Sequence, residues 1–175
     1  MKNTIYLIGF MGTGKSTIAG YLKQNHGRQI IEMDQVIEER EKMTISRIFE
    51  EKGEEYFRSL ETELLKELHG RTGLVVSCGG GTPLRASNVD IMHKGGWVVF
   101  LTATPETVYE RVKNSHNRPL LEKDKNISFI ASLMGERQER YEAAADIVIT
   151  TDGRSAEEIC QEIIRKIEEK MALID

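Results

Sequence analysis

The stretch GFMGTGKST, residues 9–17, decides which fold this chain adopts. Four residues separate Gly9 from Gly14, and Lys15 and Ser16 follow at once, which matches the phosphate-binding pattern G-x-x-x-x-G-K-[ST]. Glycines in such a loop let backbone N–H groups surround phosphate oxygens without interference from Cβ atoms. The stretch follows a short apolar run, TIYLI, and opens a helical pattern, so a buried strand, a loop and a helix are predicted in that order. A nucleoside triphosphate is therefore the expected ligand.

The side chains of this loop have distinct predicted roles. Lys15 is expected to reach the β- and γ-phosphates, and the Ser16 hydroxyl to ligate Mg²⁺. The N-terminus of the following helix adds a favourable dipole. The alternative is a glycine-rich turn that matches the pattern by chance, but its place between a strand and a helix argues against this. The predicted ATP-binding residues of the loop are Gly12, Thr13, Gly14, Lys15, Ser16 and Thr17.

Length and composition are those of an ordinary globular domain. With 175 residues, of which 39% are hydrophobic and 30% charged, the chain can bury a core without disulfides. The formal net charge of −4 argues against a general nucleic-acid binder. No apolar run approaches the roughly 18 residues of a membrane span, and the N-terminus enters the apparent fold without a signal peptide. The two cysteines, Cys78 and Cys160, are too few for a disulfide framework. A cytoplasmic protein is predicted, with a monomer as the default.

Short apolar runs alternate with amphipathic segments along the chain, and this alternation predicts a parallel sheet with helices on both sides. Two helix-rich insertions, at about 34–70 and 112–141, interrupt the alternation, and the first contains helices broken near Lys42 and Gly53. Ligands of such folds bind beyond the carboxyl ends of the strands. The predicted strands are 4–8, 29–32, 74–78, 97–101 and 146–150.

Two carboxylates, Glu32 and Asp34, follow the second predicted strand. A carboxylate at this place can accept a proton from an acceptor hydroxyl or position that hydroxyl for in-line attack. Another can order the water shell of Mg²⁺. The competing interpretation makes Asp34 the N-cap of the helix that begins with VIEER. The residues alone leave both interpretations open.

Three arginines are candidates for binding anions. Arg58, within GEEYFRSLE, is either a surface ion pair or a planar fork for a substrate carboxylate. Arg118 in NRPLL and Arg137 in ERQERY lie in and after the second insertion. Arginines there are either solvated charges or groups that close over nucleotide phosphates and stabilise transferred charge.

Three consecutive glycines end the third predicted strand. Gly79, Gly80 and Gly81 cost backbone entropy, so close approach to a ligand is a good reason for them, with a tight turn as the alternative. Cys78, directly before them, is predicted to be a small buried core residue.

Taken together, these motifs resemble the shikimate kinase family. The similarity runs through nearly the whole chain, in that family's order and spacing: GFMGTGKST, MDQVIE, ISRIFEEKGEEYFRSLE, GGG, RPLL and RQERY. The resemblance implies a single three-layer α/β/α domain over residues 1–175, with five parallel strands in the order 2-3-1-4-5. It also implies phosphorylation of the shikimate 3-hydroxyl by ATP with Mg²⁺, which yields shikimate 3-phosphate and ADP on the route to aromatic amino acids.

The resemblance further implies roles for single residues. Lys15, Asp34 and Arg118 would be catalytic, with Asp34 as the proton acceptor. Arg111 and Arg118 would flank the adenine, and Ser16 and, through water, Glu32 would support the metal. Residues 34–70 would form the shikimate-binding insertion, and residues 112–124 the lid. The implied substrate-binding residues are Asp34, Arg58, Gly79, Gly80, Gly81 and Arg137.

One departure from the family pattern concerns Glu32, because the family usually has D-x-D after the second strand and this chain has Glu32-Met33-Asp34. The longer side chain keeps a carboxylate but shifts its position. Two alternative functions follow from the sequence. One is a nucleotide-binding regulator with lost or weak turnover, and the other is a kinase of another small polyol such as gluconate.

Overall fold

The computed structural model describes residues 3–114 and 126–174, and these ranges contain five β-strands in one sheet. All neighbouring strands are parallel, and their order across the sheet is β2-β3-β1-β4-β5. The order implied by the resemblance is therefore confirmed. The strands are β1 (Thr4–Ile8), β2 (Gln29–Glu32), β3 (Leu74–Ser77), β4 (Gly96–Thr102) and β5 (Ile147–Thr150).

Helices connect the strands and cover the sheet. The first insertion holds three of them, separated at Lys42 and Gly53 as the sequence predicted. A short 3₁₀ turn, Thr82–Leu84, follows β3 and the three glycines. The α-helices are α1 (Lys15–His26), α2 (Met33–Glu41), α3 (Ile45–Lys52), α4 (Glu54–Leu68), α5 (Ala86–Gly95), α6 (Pro105–Val112), α7 (Ile127–Ala144) and α8 (Ala156–Ala172).

Both faces of the sheet are buried at its three central strands, β3, β1 and β4, which explains why these strands are continuous apolar runs. Every residue of the central strand β1 is buried. Ile5 and Leu7 belong to a core cluster with residues of α1 and α8, among them Leu22 and Ile163. The alternate residues of β1 belong to a second cluster, together with residues of α4 to α7. The molecule is therefore a three-layer α/β/α sandwich.

The starts of α6 and α2 show where local sequence signals were sufficient to predict the first residue of a helix and where they were not. Thr104 caps α6 by accepting a hydrogen bond from the Thr107 backbone N–H at 3.2 Å. In contrast, α2 begins at Met33, so its N-cap is Glu32 and Asp34 lies in the first helical turn. The interpretation of Asp34 as a helix N-cap is therefore wrong.

Among the described helices, none is both long and apolar enough to cross a membrane.

Candidate active site

A cleft of about 970 Å³ opens beyond the carboxyl ends of the strands, where a parallel α/β sheet is expected to bind its ligands. Of the predicted site residues within the described ranges, Thr13 is the only one that does not line the cleft. Arg118 and most of the predicted lid, residues 115–124, lie outside the described residues. The predicted residues that line the cleft are Gly12, Gly14, Lys15, Ser16, Thr17, Glu32, Asp34, Arg58, Gly79, Gly80, Gly81, Arg111 and Arg137.

The phosphate-binding loop connects β1 to α1 and needs glycine for its conformation. Gly14, the N-cap of α1, has a φ of 97°, in the left-handed region that other residues rarely adopt. The Lys15 ammonium donates hydrogen bonds to the carbonyls of Gly9 at 2.8 Å and Phe10 at 3.0 Å. Thr13 is buried, and its hydroxyl donates to the Phe10 carbonyl at 2.7 Å. Thr13 therefore holds the loop in shape while its neighbours face the cleft.

Two side chains whose oxygen atoms could bind a metal lie beside this loop. The Ser16 hydroxyl, at the start of α1, donates a hydrogen bond of 3.1 Å to the carboxylate of Glu32 at the end of β2. The longer side chain of glutamate therefore still reaches the serine. No group of three or more His, Cys, Asp or Glu side chains within the described ranges is arranged to hold a metal. A site of one hydroxyl and one carboxylate fits Mg²⁺, which keeps several waters and is completed by substrate phosphates.

Asp34 lines the cleft next to the glycine loop, the name used here for Gly79–Gly81. A Cβ atom on Gly79 would lie 2.9 Å from the Asp34 carboxylate and 2.7 Å from that of Glu61, so a side chain there would displace one or both carboxylates. None of the three glycines has a positive φ. The glycines therefore make room for other side chains of the protein. Close approach of a ligand, the reason that the sequence suggested, stays a prediction.

Arg58 reaches the cleft from α4 with only 13% of its side chain exposed. It donates to Glu61 at 2.6 Å and to Glu54 at 3.2 Å, and its guanidinium lies 5.3 Å from the ring centre of Phe57. The interpretation of Arg58 as a surface ion pair is wrong, because the Glu61 side chain is fully buried. A Cβ atom on Gly81 would overlap the guanidinium, so this glycine makes room for Arg58.

Glu61 is a buried carboxylate with two partners, Arg58 and the Thr82 hydroxyl, which donates to its second oxygen. Burial raises the pKa of Glu61, while the charge of Arg58 and both hydrogen bonds oppose that rise. For Arg58, burial lowers the pKa, but the carboxylates of Glu61 and Glu54 outweigh this effect and raise it. Arg58 therefore stays a cation whose position is set by Glu61.

Arg137 approaches the glycine loop from α7. Its Nη1 atom lies 3.3 Å from the position of a Cβ atom on Gly80, and its guanidinium lies 5.9 Å from the ring centre of Phe10. The hydroxyl of Tyr141, one helical turn further on, lies 3.5 Å from the same Nη1 atom and donates to the Gly80 carbonyl at 2.6 Å. The structure therefore brings Arg58 and Arg137 to the same short loop from two helices.

Arg111 lies at the other end of the cleft, on α6. Its guanidinium donates to the Gly12 carbonyl at 3.0 Å and to the Thr151 hydroxyl at 3.4 Å. It is therefore attached to the phosphate-binding loop and to the segment after β5, away from the carboxylates and arginines around the glycine loop. The two ends of the cleft are named here after their predicted ligands: the nucleotide end at the phosphate-binding loop and the acceptor end at the glycine loop.

Comparison with known proteins agrees with this geometry. The family model for shikimate kinase matches residues 11–168. The chain belongs to the shikimate kinase family. It is 40% identical over 169 residues to the shikimate kinase of Dehalococcoides mccartyi, covering 97% of this chain and 96% of that protein. It is 44% identical over 167 residues to that of Persephonella marina, covering 95% and 99%.

Solved structures of shikimate kinases have the same fold. The enzyme from Acinetobacter baumannii in complex with shikimate superposes with a TM-score of 0.91 at 34% identity, covering 97% of this chain and 95% of that one. A gluconokinase from Sinorhizobium meliloti reaches a TM-score of 0.60 at 18% identity, which shows a shared fold alone.

Two residues of the site were not singled out from the sequence. Glu61 is hidden among the many acids of α4, although its spacing of three residues from Arg58 is a known signal for a helical ion pair. Tyr141 belongs to the RQERY motif, but the sequence predicted a role only for Arg137 of that motif. Cys78, by contrast, is buried as predicted, and burial raises the pKa of its thiol.

Proposed function

We propose that this chain is an ATP-dependent shikimate kinase. It transfers the γ-phosphoryl group of ATP to the 3-hydroxyl of shikimate and releases shikimate 3-phosphate and ADP. The observation that carries the proposal is the shared cleft. One end has a phosphate-binding loop with Lys15, and the other has Asp34, Arg58 and Arg137 around the glycine loop. A small polyol with a carboxylate requires guanidinium groups that bind the carboxylate and a base that accepts the proton of its hydroxyl.

The proposed mechanism assigns one task to each charged side chain. Arg58 and Arg137 hold the carboxylate of shikimate, and Asp34 orients the acceptor hydroxyl and takes its proton. The new O–P bond forms while the bond between the γ-phosphorus and the bridging oxygen of ADP breaks. The Lys15 ammonium, which donates to two loop carbonyls in this structure, would donate hydrogen bonds to the transferred phosphoryl group and stabilise its negative charge in the transition state.

We further propose that Mg²⁺ is required. The Ser16 hydroxyl would ligate it directly, and Glu32 would hold one of its waters. When bound, the metal neutralises charge on the β- and γ-phosphates. Arg111 is proposed to flank the adenine, and Arg118, which lies outside the described residues, to complete the nucleotide site as the family resemblance implies.

The organisation of the chain is also part of the proposal. Residues 34–70, which form α2 to α4, are assigned to shikimate binding, and residues 112–124 to a lid that excludes water during transfer. The single domain is proposed to act as a monomer in the cytoplasm.

The test is ADP release from ATP and Mg²⁺ with shikimate, with gluconate or with no acceptor. We expect strong stimulation by shikimate alone. Stimulation by gluconate instead would favour the other polyol kinase. ATP binding without stimulation by either compound would favour the nucleotide-binding regulator.

A further inference from the structure

The two arginines of the acceptor end come from different helices, and something must set the distance between them. Arg58 is on α4, and Arg137 is on α7. A carboxylate is held well only within a narrow range of distances and angles. The segment between the helices is the glycine loop with the 3₁₀ turn that follows it, and this turn contacts both α4 and α7.

On the α4 side, a buried hydroxyl attaches the loop. Thr82, fully buried, donates its hydroxyl to one oxygen of Glu61, whose other oxygen accepts from Arg58 at 2.6 Å. Because Gly81 also lies against the guanidinium of Arg58, the loop and this arginine are held together by two contacts. The Thr82 carbonyl in turn accepts from the buried amide of Asn88 at 2.9 Å.

On the α7 side, a second buried hydroxyl does the same. Tyr141 is 1% exposed and donates to the Gly80 carbonyl at 2.6 Å. Its ring packs on Phe100 at 5.2 Å between ring centres, so the hydroxyl has little freedom to move. Arg137 lies one turn earlier on the same helix, against the same glycine.

We propose that the hydroxyls of Thr82 and Tyr141 are positioning groups that hold the glycine loop against α4 and α7 and thereby set the spacing of Arg58 and Arg137. Neither residue lines the cleft, so both act through the loop. This inference rests on the proposed function, because the spacing matters only for an acceptor with a carboxylate. The nucleotide end is built on β1, α1 and α6, and neither hydroxyl donates to the phosphate-binding loop.

The test uses the isosteric variants Tyr141→Phe and Thr82→Val, which each remove one hydroxyl and little else. We expect each to raise the KM for shikimate roughly tenfold, as the loss of a buried hydrogen bond allows. The KM for ATP and kcat at saturating shikimate are expected to stay at the wild-type values. Thr82→Ser, which keeps the hydroxyl, should retain the wild-type KM for shikimate.

The matched control is Tyr6→Phe. Tyr6 is equally buried in β1, and its hydroxyl lies beside Gly95, just before β4 begins and away from the cleft. This variant should leave the KM for shikimate unchanged, whatever it does to the melting temperature. An increase in the KM for shikimate in Tyr6→Phe equal to that in Tyr141→Phe would mean general loosening and would overturn the inference.

The inference and the proposed function fail in different ways. If the wild-type protein does not phosphorylate shikimate, the proposed function is wrong and the inference falls with it. If the wild type is active but Tyr141→Phe and Thr82→Val keep its KM for shikimate, only the positioning role is wrong. If Thr82→Val does not fold, Tyr141→Phe decides. A raised KM for shikimate in that variant supports the positioning role, and a wild-type KM overturns it.

Discussion

Asp34 has the location that a phosphoryl-transfer base requires. Its carboxylate lines the cleft beside Gly79. We predict that Asp34→Asn lowers kcat by about 10²–10⁴-fold, the usual contribution of general base catalysis. ATP affinity, measured by calorimetry, should not change, because the nucleotide end is untouched. Wild-type turnover in this variant would contradict the assignment of Asp34 as the base.

Glu32 is the residue that departs from the family pattern, yet it reaches Ser16. If it holds a water of Mg²⁺, Glu32→Gln should raise the Mg²⁺ concentration for half-maximal activity about tenfold, since outer-shell partners contribute that much to metal affinity. The matched control is Glu39→Gln, which removes the same charge from an exposed position of α2. Magnesium titrations of both variants check this, and equal responses would show that Glu32 has no specific role.

At the residue scale, the sequence was informative where a motif residue has a recognisable chemical task, and it missed Glu61 and Tyr141, which lie in motifs but act through other residues. Lys15, Ser16 and Arg137, which have such tasks, lie in the predicted cleft. The local sequence pattern could not decide whether Arg58 is exposed or buried. Glu54 and Glu61 lie one helical turn away on either side, and such acids are equally common on an exposed helix. Burial of Glu61 depends on the 3₁₀ turn that packs over it, and that contact joins segments 21 residues apart.

Among the elements, the glycine loop shows why three glycines are needed in succession. The third, Gly81, leaves space for the guanidinium of Arg58. We predict that Gly81→Ala displaces Arg58 and raises the KM for shikimate roughly tenfold, because overpacking of this kind costs about 1–3 kcal/mol. The KM for ATP should be unaffected, and steady-state kinetics with each substrate varied in turn measures both constants.

The matched control for this prediction is Gly135→Ala in α7. A Cβ atom there would meet nothing within 4 Å, and its backbone is helical. This variant should keep both KM values and gain about 0.5–1 kcal/mol in unfolding free energy, since alanine favours the helix. If Gly81→Ala behaves as Gly135→Ala does, the glycine loop has no steric role.

Element boundaries were predictable where capping residues or glycines mark them, as at Thr104 and Gly53. The start of α2 was not, because Glu32 provides no side-chain cap and the helix begins directly after the strand. The 3₁₀ turn at Thr82–Leu84 was also missed, since three residues are too few to show a periodic pattern.

At the scale of the whole molecule, the two proposed substrate sites lie in one cleft at the carboxyl edge of the sheet. Arg111 is attached to the phosphate-binding loop, while Arg137 faces the glycine loop. We predict that Arg137→Ala raises the KM for shikimate about tenfold to a hundredfold, as expected for hydrogen bonds to a charged group. Arg111→Ala should instead raise the KM for ATP. Kinetics in which both variants affect the same substrate would contradict the two-ended cleft.

At this scale, alternation of strands and helices predicted a parallel sheet but not the order of its strands. That order is decided by which strands pair across long stretches of chain, as when Ile5 of β1 pairs with both Val75 and Trp97. The resemblance to shikimate kinases supplied the order, and the structure confirmed it.

The central claim is transfer of a phosphoryl group to shikimate by this cleft. Phosphorus NMR of the reaction mixture tests it most directly, because it shows both ADP and the position of the new phosphomonoester. We expect one shikimate 3-phosphate for each ADP, and neither product from Asp34→Asn beyond its residual rate. ADP formed together with free inorganic phosphate, without a phosphorylated shikimate, would contradict the claim.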